Sequence, residues 1–408
     1  MNKTLKPRDH AETLALLAWA AAERKSIEVV GGASKQCVGR PLQTDHVLDL
    51  SELTGITMYE PEELVLTAKA GTTVREIETA LAEHGQELAF EPPGLGRWLG
   101  GTNARATIGA AFATNLSGPR RIHAGAARDH FLGLEAVTGR GEAIKSGGRV
   151  VKNVTGYDLC KGLAGSWGTL AVFTSVTFKV LPRAETTQSL LIFGLKPEQA
   201  MTAMSDALGS AHSVSGAAHL TANVAAQSTV DPVSSAGRSV TVLRLEGFES
   251  SVAARFAGLQ SMLGESGEIG TVSGRLSQKL WREIRDLKVL SVDDDCVVWR
   301  ISTTPMKGAD IARNISLSGE SKVLFDWGGG LVWLVVPKYG DASALGIRSL
   351  LERAGGHATL FSNAPPELRA SIDVFQPQAE ALAALTRRMK LAFDPHAILN
   401  PGRMYAGV

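Results

Sequence analysis

The sequence lacks the paired cysteines of a disulfide framework and the CxxC spacing of a metal site. Its three cysteines, Cys37, Cys160 and Cys296, are far apart in the chain. Reduced thiols and a cytoplasmic location are therefore expected. An iron–sulfur cluster needs about four thiolate ligands, so this chain cannot hold one by itself.

The sequence also lacks an excess of charge of either sign and long apolar runs. The chain has 42 basic and 41 acidic side chains, which argues against nucleic-acid binding through a basic field. No window approaches the ~18 uninterrupted apolar residues of a membrane span. The apolar run 14–22 is flanked by charged residues, so we read it as an amphipathic first helix and not as a signal peptide. Membrane contact is expected to be at most peripheral, at the inner membrane through a complex.

Length and composition predict a two-domain globular protein. With 408 residues, 44% apolar and 20% charged, the chain exceeds the size at which one hydrophobic core stops growing. A change in pattern after Arg183 gives the predicted division: residues 1–183, residues 184–377, and a tail at 378–408 that returns to the first domain.

Periodicity predicts an α+β fold in both parts. In the first, Thr73 caps a helix that Gly85 ends, and Pro182 stops a strand. The second part alternates strands and helices and predicts an antiparallel sheet with helices on one face. The main predicted helices are 7–25, 74–84, 250–263, 276–289, 305–315, 342–354 and 378–393; the main strands are 26–30, 46–53, 64–74, 170–180, 189–195, 217–223, 239–248, 296–303 and 357–360, with a strand pair around 327–330 and a polar loop at 227–237.

A Gly-rich loop follows the predicted strand 26–30. Such a loop turns successive N–H groups inward and can hold a diphosphate. A hydroxyl and a nearby Lys or Arg would add a donor and positive charge, and a side chain at Gly32 would occupy the space of a phosphate oxygen. An ordinary Gly-Gly turn is the alternative, because neither GxGxxG nor a Walker ending is present. The loop residues are Gly31, Gly32, Ala33, Ser34 and Lys35, with Arg40 as a second cation.

Two further segments share this small-residue character. The first contains Ile108 and Gly109 and ends in a turn with Asn115, Ser117 and Gly118. With the loop at 31–35 it can clasp one extended cofactor, although an Ala/Gly-rich core helix is the alternative. The second contains Gly156, Tyr157, Leu170 and Val172; its strand edge can pair with a flat ring, and a plain hairpin is equally compatible.

These motifs resemble a known family. The strings GGASKQCVGR, LSGPRR and KNVTGYDL, the strand 170–180 and the ending NPGR resemble vanillyl-alcohol-oxidase-type flavoproteins, and within them the FAD-binding small subunits of bacterial glycolate oxidase. The resemblance spans nearly the whole chain. It implies a PCMH-type FAD-binding domain of two α+β subdomains, followed by an α+β cap domain with an antiparallel sheet. It also implies that the segments matching 31–35, 108–109, 115–118, 156–157 and 170–172 surround FAD.

Departures from the wider family are informative. Residues 31–39 contain no histidine for covalent attachment, so the FAD is expected to be non-covalent; Cys37 is the only nucleophile there. The HxGDGNxH-type metal segment of related D-2-hydroxyacid dehydrogenases is missing. The histidines are scattered, and residues 293–295 predict a solvated turn, so no metal is expected.

The catalytic residues stay open at this stage. Oxidation of a hydroxy acid requires a base near the hydroxyl and positive charge for the carboxylate. Candidates by position are Arg120, Arg121, His123 and His130 after the second loop, and His396 and Arg403 in the tail. For the four residues after the second loop, a structural role, or pairing of the arginines with the diphosphate, is an equal alternative.

The resemblance implies an FAD-binding subunit of a glycolate oxidase complex that oxidises glycolate to glyoxylate. Its partners would be a second FAD-binding subunit and an iron–sulfur subunit, and its substrate a small 2-hydroxy acid. Two alternatives stay open: a stand-alone FAD-dependent D-2-hydroxyacid (D-lactate-type) dehydrogenase, and a non-catalytic assembly subunit with a lapsed flavin site.

Overall fold

The structure is a computed structural model that describes residues 3–95, 99, 104–150, 156–315, 322–362 and 364–408. Part of the string KNVTGYDL, residues 152–155, lies outside these residues. The chain divides into two compact units. Unit 1 contains residues 1–117, 125–183 and 377–408, and unit 2 contains 118–124 and 184–376. Unlike the sequence-based division, this one groups residues 118–124 with the second unit.

Unit 1 contains three sheets. Strands β1 (Lys3–Leu5), β2 (Ile27–Val30) and β3 (His46–Asp49) form a parallel sheet in the order β1-β3-β2. A five-stranded antiparallel sheet has the order β4-β5-β9-β7-β8, and β6 pairs with β10. The bounds are β4 Ile56–Glu60, β5 Val65–Lys69, β6 Gln86–Glu87, β7 Phe131–Thr138, β8 Ala143–Gly147, β9 Ala171–Lys179 and β10 Leu181–Pro182.

The helices of unit 1 begin and end where the sequence supplies caps. Asp9 accepts a hydrogen bond from the Glu12 N–H at the start of α1, and Thr73 accepts one from the Glu76 N–H at the start of α2. Gly85, just after α2, has a φ of +62°, the left-handed conformation that glycine adopts without strain. The helices are α1 His10–Ala22, α2 Val74–Glu83, α3 Ile108–Thr114, α5 Leu159–Leu163 and α14 Glu380–Phe393, and short 3₁₀ turns cover Leu50–Glu52 and Ala127–His130.

The core of unit 1 lies between these sheets and helices. Leu17, Leu48, Ile77 and Phe112 are fully buried in one cluster. Phe112 stacks on Phe131 with ring centroids 4.4 Å apart. This packing fixes α3 against the five-stranded sheet, which matters because α3 forms one wall of the cleft described below.

Unit 2 is built on one eight-stranded sheet in which every pairing is antiparallel, as predicted. Its order is β14-β11-β13-β12-β16-β17-β15-β18. The bounds are β11 Thr186–Phe193, β12 Gly216–Leu220, β13 Val240–Gly247, β14 Glu268–Ser273, β15 Cys296–Ser302, β16 Val323–Asp326, β17 Leu331–Pro337 and β18 His357–Leu360.

The helices of unit 2 connect these strands. They are α4 Arg121–Ala124, α6 Pro197–Gly209, α7 Ala222–Ala225, α8 Asp231–Ser234, α9 Glu249–Leu263, α10 Gly274–Arg285, α11 Gly308–Ile315, α12 Ala344–Ala354 and α13 Pro366–Ser371, with 3₁₀ turns at Pro305–Lys307 and Trp327–Gly329. No helix in the described part of the chain is long and apolar enough to cross a membrane.

Several predicted boundaries were wrong for local reasons. The predicted strand 46–53 ends at Asp49, because the Asp49 carboxylate accepts the Ser51 N–H and starts a 3₁₀ turn. The predicted strand 217–223 gives way to α7, and the predicted loop 227–237 contains α8, whose second residue is a proline. The Asp49 cap therefore ends the first of these strands early, and the proline at the second position of α8 favours a helical start within the predicted loop.

Candidate functional site

A cleft in unit 1 opens to solvent and collects the small-residue segments. The loop after β2 and the helix α3 face each other across it. The strand β9 and the turn before it close the cleft. The lining residues are Val29, Val30, Gly31, Gly32, Ala33, Ser34, Lys35, Gln36, Leu50, Ala70, Thr107, Gly109, Ala110, Ala113, Thr114, Trp167, Gly168, Ala171, Val172, Phe173 and Arg403.

The loop after β2 is held against the segment before α3 by its backbone. The Arg105 N–H donates to the Gly32 carbonyl at 2.8 Å, and Ala33 bridges to Arg105. A Cβ on Gly32 would lie 2.1 Å from the Arg105 carbonyl oxygen. The glycine is therefore required by this close approach of two backbones. We expected a side chain at Gly32 to fill the space of a phosphate oxygen. That expectation was wrong, because the side chain would meet the Arg105 backbone instead.

Donors of this loop stay available for a ligand. The backbone N–H groups of Gly32, Ala33 and Lys35 find no acceptor among the described residues. Ala33 has a φ of +53°, a left-handed conformation that turns the chain sharply. Backbone N–H groups in such a turn form a concave site for anions.

Thr107 supplies a second available donor. Its side chain is 2% exposed, and its hydroxyl has no hydrogen-bond partner in the described part of the chain. It occupies the N-cap of α3 without making a side-chain cap bond. A buried polar atom of this kind costs free energy unless something bonds to it, so a bound group in the cleft would satisfy it.

Lys35 brings positive charge into the cleft. Its side chain is buried, and its Nζ donates only to the Ser34 hydroxyl, at 3.2 Å, with no acidic partner among the described residues. Burial lowers the pKa of Lys35 to about 8. A buried ammonium without a carboxylate partner is a site where a ligand anion would bind favourably.

The C-terminal tail completes the cleft. Arg403 Nη2 donates to the Lys35 carbonyl at 3.0 Å, and its guanidinium lies 5.5 Å from the Trp167 ring. Asn400 is fully buried; its Oδ1 accepts the Val29 N–H at 2.8 Å and its Nδ2 donates to the Trp167 carbonyl at 2.9 Å. One side chain thus ties β2 to the turn before β9.

The sequence-predicted cofactor residues fall into two groups. Seven line the cleft: Gly31, Gly32, Ala33, Ser34, Lys35, Gly109 and Val172. The other seven do not line it: Ile108, Asn115, Ser117, Gly118, Gly156, Tyr157 and Leu170. Ile108 and Leu170 belong to the core, and Tyr157 is 91% exposed.

The turn residues after α3 have structural partners. Asn115, with a φ of +51°, ends α3 and accepts the Arg128 N–H through its Oδ1. Ser117 accepts the Ala127 N–H, and the Gly118 carbonyl accepts the Trp327 indole N–H at 3.0 Å. These contacts give each residue a role in holding the chain, whatever ligand binds.

Sequence reasoning missed several cleft residues. Thr107, Ala110, Ala113 and Thr114 lie along one side of α3, and a helical period of three or four residues in both directions from Ala110 would have found them. Gly168 has a φ of +71°, and a Cβ at this position would lie 2.9 Å from Asn400 Nδ2. The glycine before β9 is a sequence signal that could have identified Gly168 as a cleft residue, whereas no sequence signal indicated Trp167.

The catalytic candidates are dispersed. Arg403 lines the cleft, whereas His123 and His396 are exposed and His130 is buried. In unit 2, Arg120 forms a largely buried ion pair with Glu246, with Arg120 Nη2 2.8 Å from Glu246 Oε1. Arg121 lies over the Trp327 ring.

One group of potential metal ligands occurs in the described part of the chain. Asp293, Asp295 and Cys296 place one ligand atom each within 4.8 Å of one another. Lys322 already forms an ion pair with Asp293 at 2.8 Å. The group is acidic and largely exposed, as in many solvated turns, and we assign it no ligand.

Comparison with known proteins relates this chain to FAD-binding proteins. Residues 2–147 match the family described as an FAD binding domain. The chain is 34% identical to the glycolate oxidase subunit GlcE of Escherichia coli (strain K12) over 95% of both chains. A D-lactate dehydrogenase of Archaeoglobus fulgidus is 33% identical over 44% of this chain and 38% of its own length.

Among solved structures, p-cresol methylhydroxylase has the same fold. It aligns with a TM-score of 0.73 over 99% of this chain and 88% of its own, at 15% sequence identity. This likeness places the two-unit architecture in the PCMH-type group, as the sequence predicted.

Proposed function

The chain belongs to the family of FAD-binding flavoproteins that includes glycolate oxidase subunit GlcE, and from this we propose that it carries FAD in a multi-subunit enzyme that oxidises glycolate to glyoxylate. The observation that carries the proposal is similarity over 95% of both chains. The similarity to the D-lactate dehydrogenase covers 44% of this chain. The second match, over 181 residues, is short enough to be confined to a shared FAD domain, whereas the first, over 95% of the chain, must include part of unit 2.

The cleft residues fit FAD. The N–H groups of Gly32, Ala33 and Lys35 and the ammonium of Lys35 would hold the diphosphate, and the buried Thr107 hydroxyl would donate to it or to a neighbouring oxygen. The apolar side of β9 would exclude water from a flat ring. When bound, FAD supplies a hydride acceptor for the carbon that bears the substrate hydroxyl.

We propose that attachment is non-covalent. The segment 31–39 offers Cys37 as its one nucleophile. Cys37 Sγ donates to the Leu99 carbonyl at 2.9 Å, so the thiol is already engaged. Release of intact FAD on denaturation in acid, with a colourless protein pellet, tests this; flavin retained by the denatured chain contradicts it.

We propose that electrons leave through partner subunits. Cys37, Cys160 and Cys296 are too few for a cluster, and burial raises the pKa of Cys160 to about 12, which makes it a poor metal ligand at neutral pH. An iron–sulfur subunit would then take the electrons, and a second FAD-binding subunit would share the oxidation. Co-purification of both from native cells is the expected result.

Absorption spectra and turnover assays test the function. An absorption spectrum should show about one FAD per chain. Turnover of glycolate with an artificial dye should be much faster with the partner subunits than without them. Full turnover of D-lactate by the single chain would favour a stand-alone dehydrogenase. A chain that stays colourless after incubation with FAD would favour a lapsed flavin site.

A further inference from the structure

Arg300 is a buried cation whose side chain has no hydrogen-bonding partner in the described part of the chain. This side chain, on β15, is 9% exposed, and no hydrogen bond or ion pair joins it to another described residue. Its guanidinium carbon lies 5.2 Å from the Trp327 ring centroid and 5.8 Å from that of Trp333. Aromatic faces compensate only a small part of the cost of burying a guanidinium.

A second cation lies on the same tryptophan. Arg121 places its guanidinium carbon 4.5 Å from the Trp327 ring centroid. The segment that leads into Arg121 is anchored, because the Gly118 carbonyl accepts the Trp327 indole N–H and Arg120 pairs with Glu246. Two guanidinium groups are therefore held at one ring although they repel each other.

The charge of Arg300 is only partly compensated by its surroundings. Burial and the positive charge of Arg121 lower the pKa of Arg300 to about 10, and Asp326 opposes the shift with a weaker effect. Arg300 still carries its charge at neutral pH. The Asp326 carboxylate also accepts the Trp327 N–H at 2.7 Å, so part of its charge is already used.

Hydroxyl and imidazole groups extend the same face of the sheet. Thr359 is paired with Arg300 across β15 and β18, and His357 is paired with Ser302 two residues farther along. Residues two apart on a strand share a face. Desolvation and the charges of Arg300, Arg121 and Arg348 lower the pKa of His357, which lies exposed at the start of β18.

We propose that Arg300 and Arg121 form a binding site in unit 2 for a small 2-hydroxy carboxylate, so that this chain takes substrate itself; the inference rests on the proposed role in glycolate oxidation. The guanidinium fork matches the two oxygens of a planar carboxylate. The rings of Trp327 and Trp333 lie beside the Arg300 guanidinium and would contact the apolar part of the ligand. Thr359 and His357 offer hydrogen-bonding partners to a hydroxyl on the adjacent carbon.

Calorimetric titration of the FAD-loaded full chain tests the site. We use glycolate, acetate as a carboxylate without the hydroxyl, glycolamide as a neutral analogue, and sulfate as a tetrahedral anion. The expected order of affinity is glycolate, then acetate, with no detectable binding of glycolamide. Binding of glycolamide as tight as that of glycolate, or of sulfate as tight as that of acetate, contradicts the site.

Variants separate the site from the fold. Arg300→Met and Arg121→Met should each weaken glycolate binding at least tenfold, and Arg300→Lys should weaken it less because the charge remains. Arg275→Met, at an exposed arginine of the same unit, should leave the affinity unchanged. Thermal unfolding and FAD content verify that each variant is folded, and Arg121→Met tests the site even if Arg300→Met does not fold.

The outcomes distinguish this inference from the proposed function. A chain that binds FAD but no glycolate, or an Arg300→Met variant that is folded and binds glycolate as the parent does, overturns the inference and leaves the flavin proposal intact. A chain that binds glycolate through Arg300 but no FAD supports the inference and overturns the flavin proposal.

Discussion

Lys35 is the residue whose ionisation most directly controls the cleft. Without ligand its pKa is about 8, because burial disfavours the ammonium. A bound diphosphate would stabilise the charged form and raise that pKa. We therefore expect FAD affinity to be constant below pH 8 and to fall as pH rises above 8, because neutral Lys35 must take up a proton to pair with the diphosphate.

Lys35→Met should remove this dependence. We expect FAD binding at pH 7 to weaken at least tenfold and its change above pH 8 to become much smaller, as measured by fluorescence titration of FAD at each pH. Lys307→Met, at an exposed lysine of unit 2, is the control. An unchanged pH profile in Lys35→Met would show that another group is responsible.

The same substitution has an opposite effect on the FAD-free chain. The pKa of Lys35 is lower when folded, about 8, than its ordinary value of 10.5. The unfolded chain therefore binds more protons between these values, and burial of Lys35 costs stability below pH 8, a cost relieved as pH rises towards 10.5. Lys35→Met should raise the free energy of unfolding at pH 7 by up to about 3 kcal/mol, measured with urea; a loss of stability would contradict an unpaired ammonium.

Thr107→Val tests the available hydroxyl. The substitution keeps the shape and removes a buried group that has no partner in the described chain. Stability without FAD should be unchanged or slightly higher, while FAD binding weakens about threefold to tenfold, the effect of one lost hydrogen bond.

Thr72→Val is the matched contrast. The Thr72 hydroxyl accepts the Gly55 N–H at 2.9 Å and donates to the Gly55 carbonyl at 3.2 Å. Its loss should cost about 1–3 kcal/mol of stability. If Thr107→Val destabilises the FAD-free chain as much as Thr72→Val does, the hydroxyl of Thr107 has a structural role instead.

At the scale of elements, the cleft depends on how closely the loop after β2 approaches the segment before α3. Gly32→Ala would place a Cβ 2.1 Å from the Arg105 carbonyl oxygen. We expect the two segments to separate and FAD to be lost, with a smaller effect on unit 2. Flavin content and limited proteolysis measure this.

Gly162→Ala is the control for glycine loss in the same unit. Gly162 lies in α5, and no described atom outside its own helical turn and chain neighbours comes within 4 Å of the position a Cβ would take there. Alanine should therefore stabilise the helix by up to about 1 kcal/mol. Gly32→Ala with normal flavin content would mean that the loop does not hold the cofactor.

At the scale of the whole molecule, the tail returns to unit 1 and closes the cleft. Asn400→Ala leaves the Val29 N–H and the Trp167 carbonyl without their partner in a buried place. We expect a loss of about 2–4 kcal/mol in urea unfolding, together with loss of FAD. Asn314→Ala, where the amide is exposed, should change neither; equal effects of the two would refute a special role for the tail.

Local sequence signals predicted most of the secondary structure, and half of the predicted cofactor residues line the cleft. Thr73, Gly85 and Pro182 marked real boundaries, because capping and φ restriction act within a few residues. The loop 31–35 and Gly109 were found because a close backbone approach demands small residues. The family resemblance identified the cofactor as FAD, and the comparisons with known proteins support this identification.

The sequence by itself determined the α+β class, the antiparallel sheet of unit 2 and the small-residue loops, since these follow from local propensity and periodicity. Tertiary structure alone decided that Thr107, Trp167 and Arg403 line the same cleft as Lys35, and that Arg121 and Arg300 meet at Trp327. Those residues are separated by up to hundreds of positions, and only packing brings their charges and hydroxyl groups together in places that water scarcely reaches.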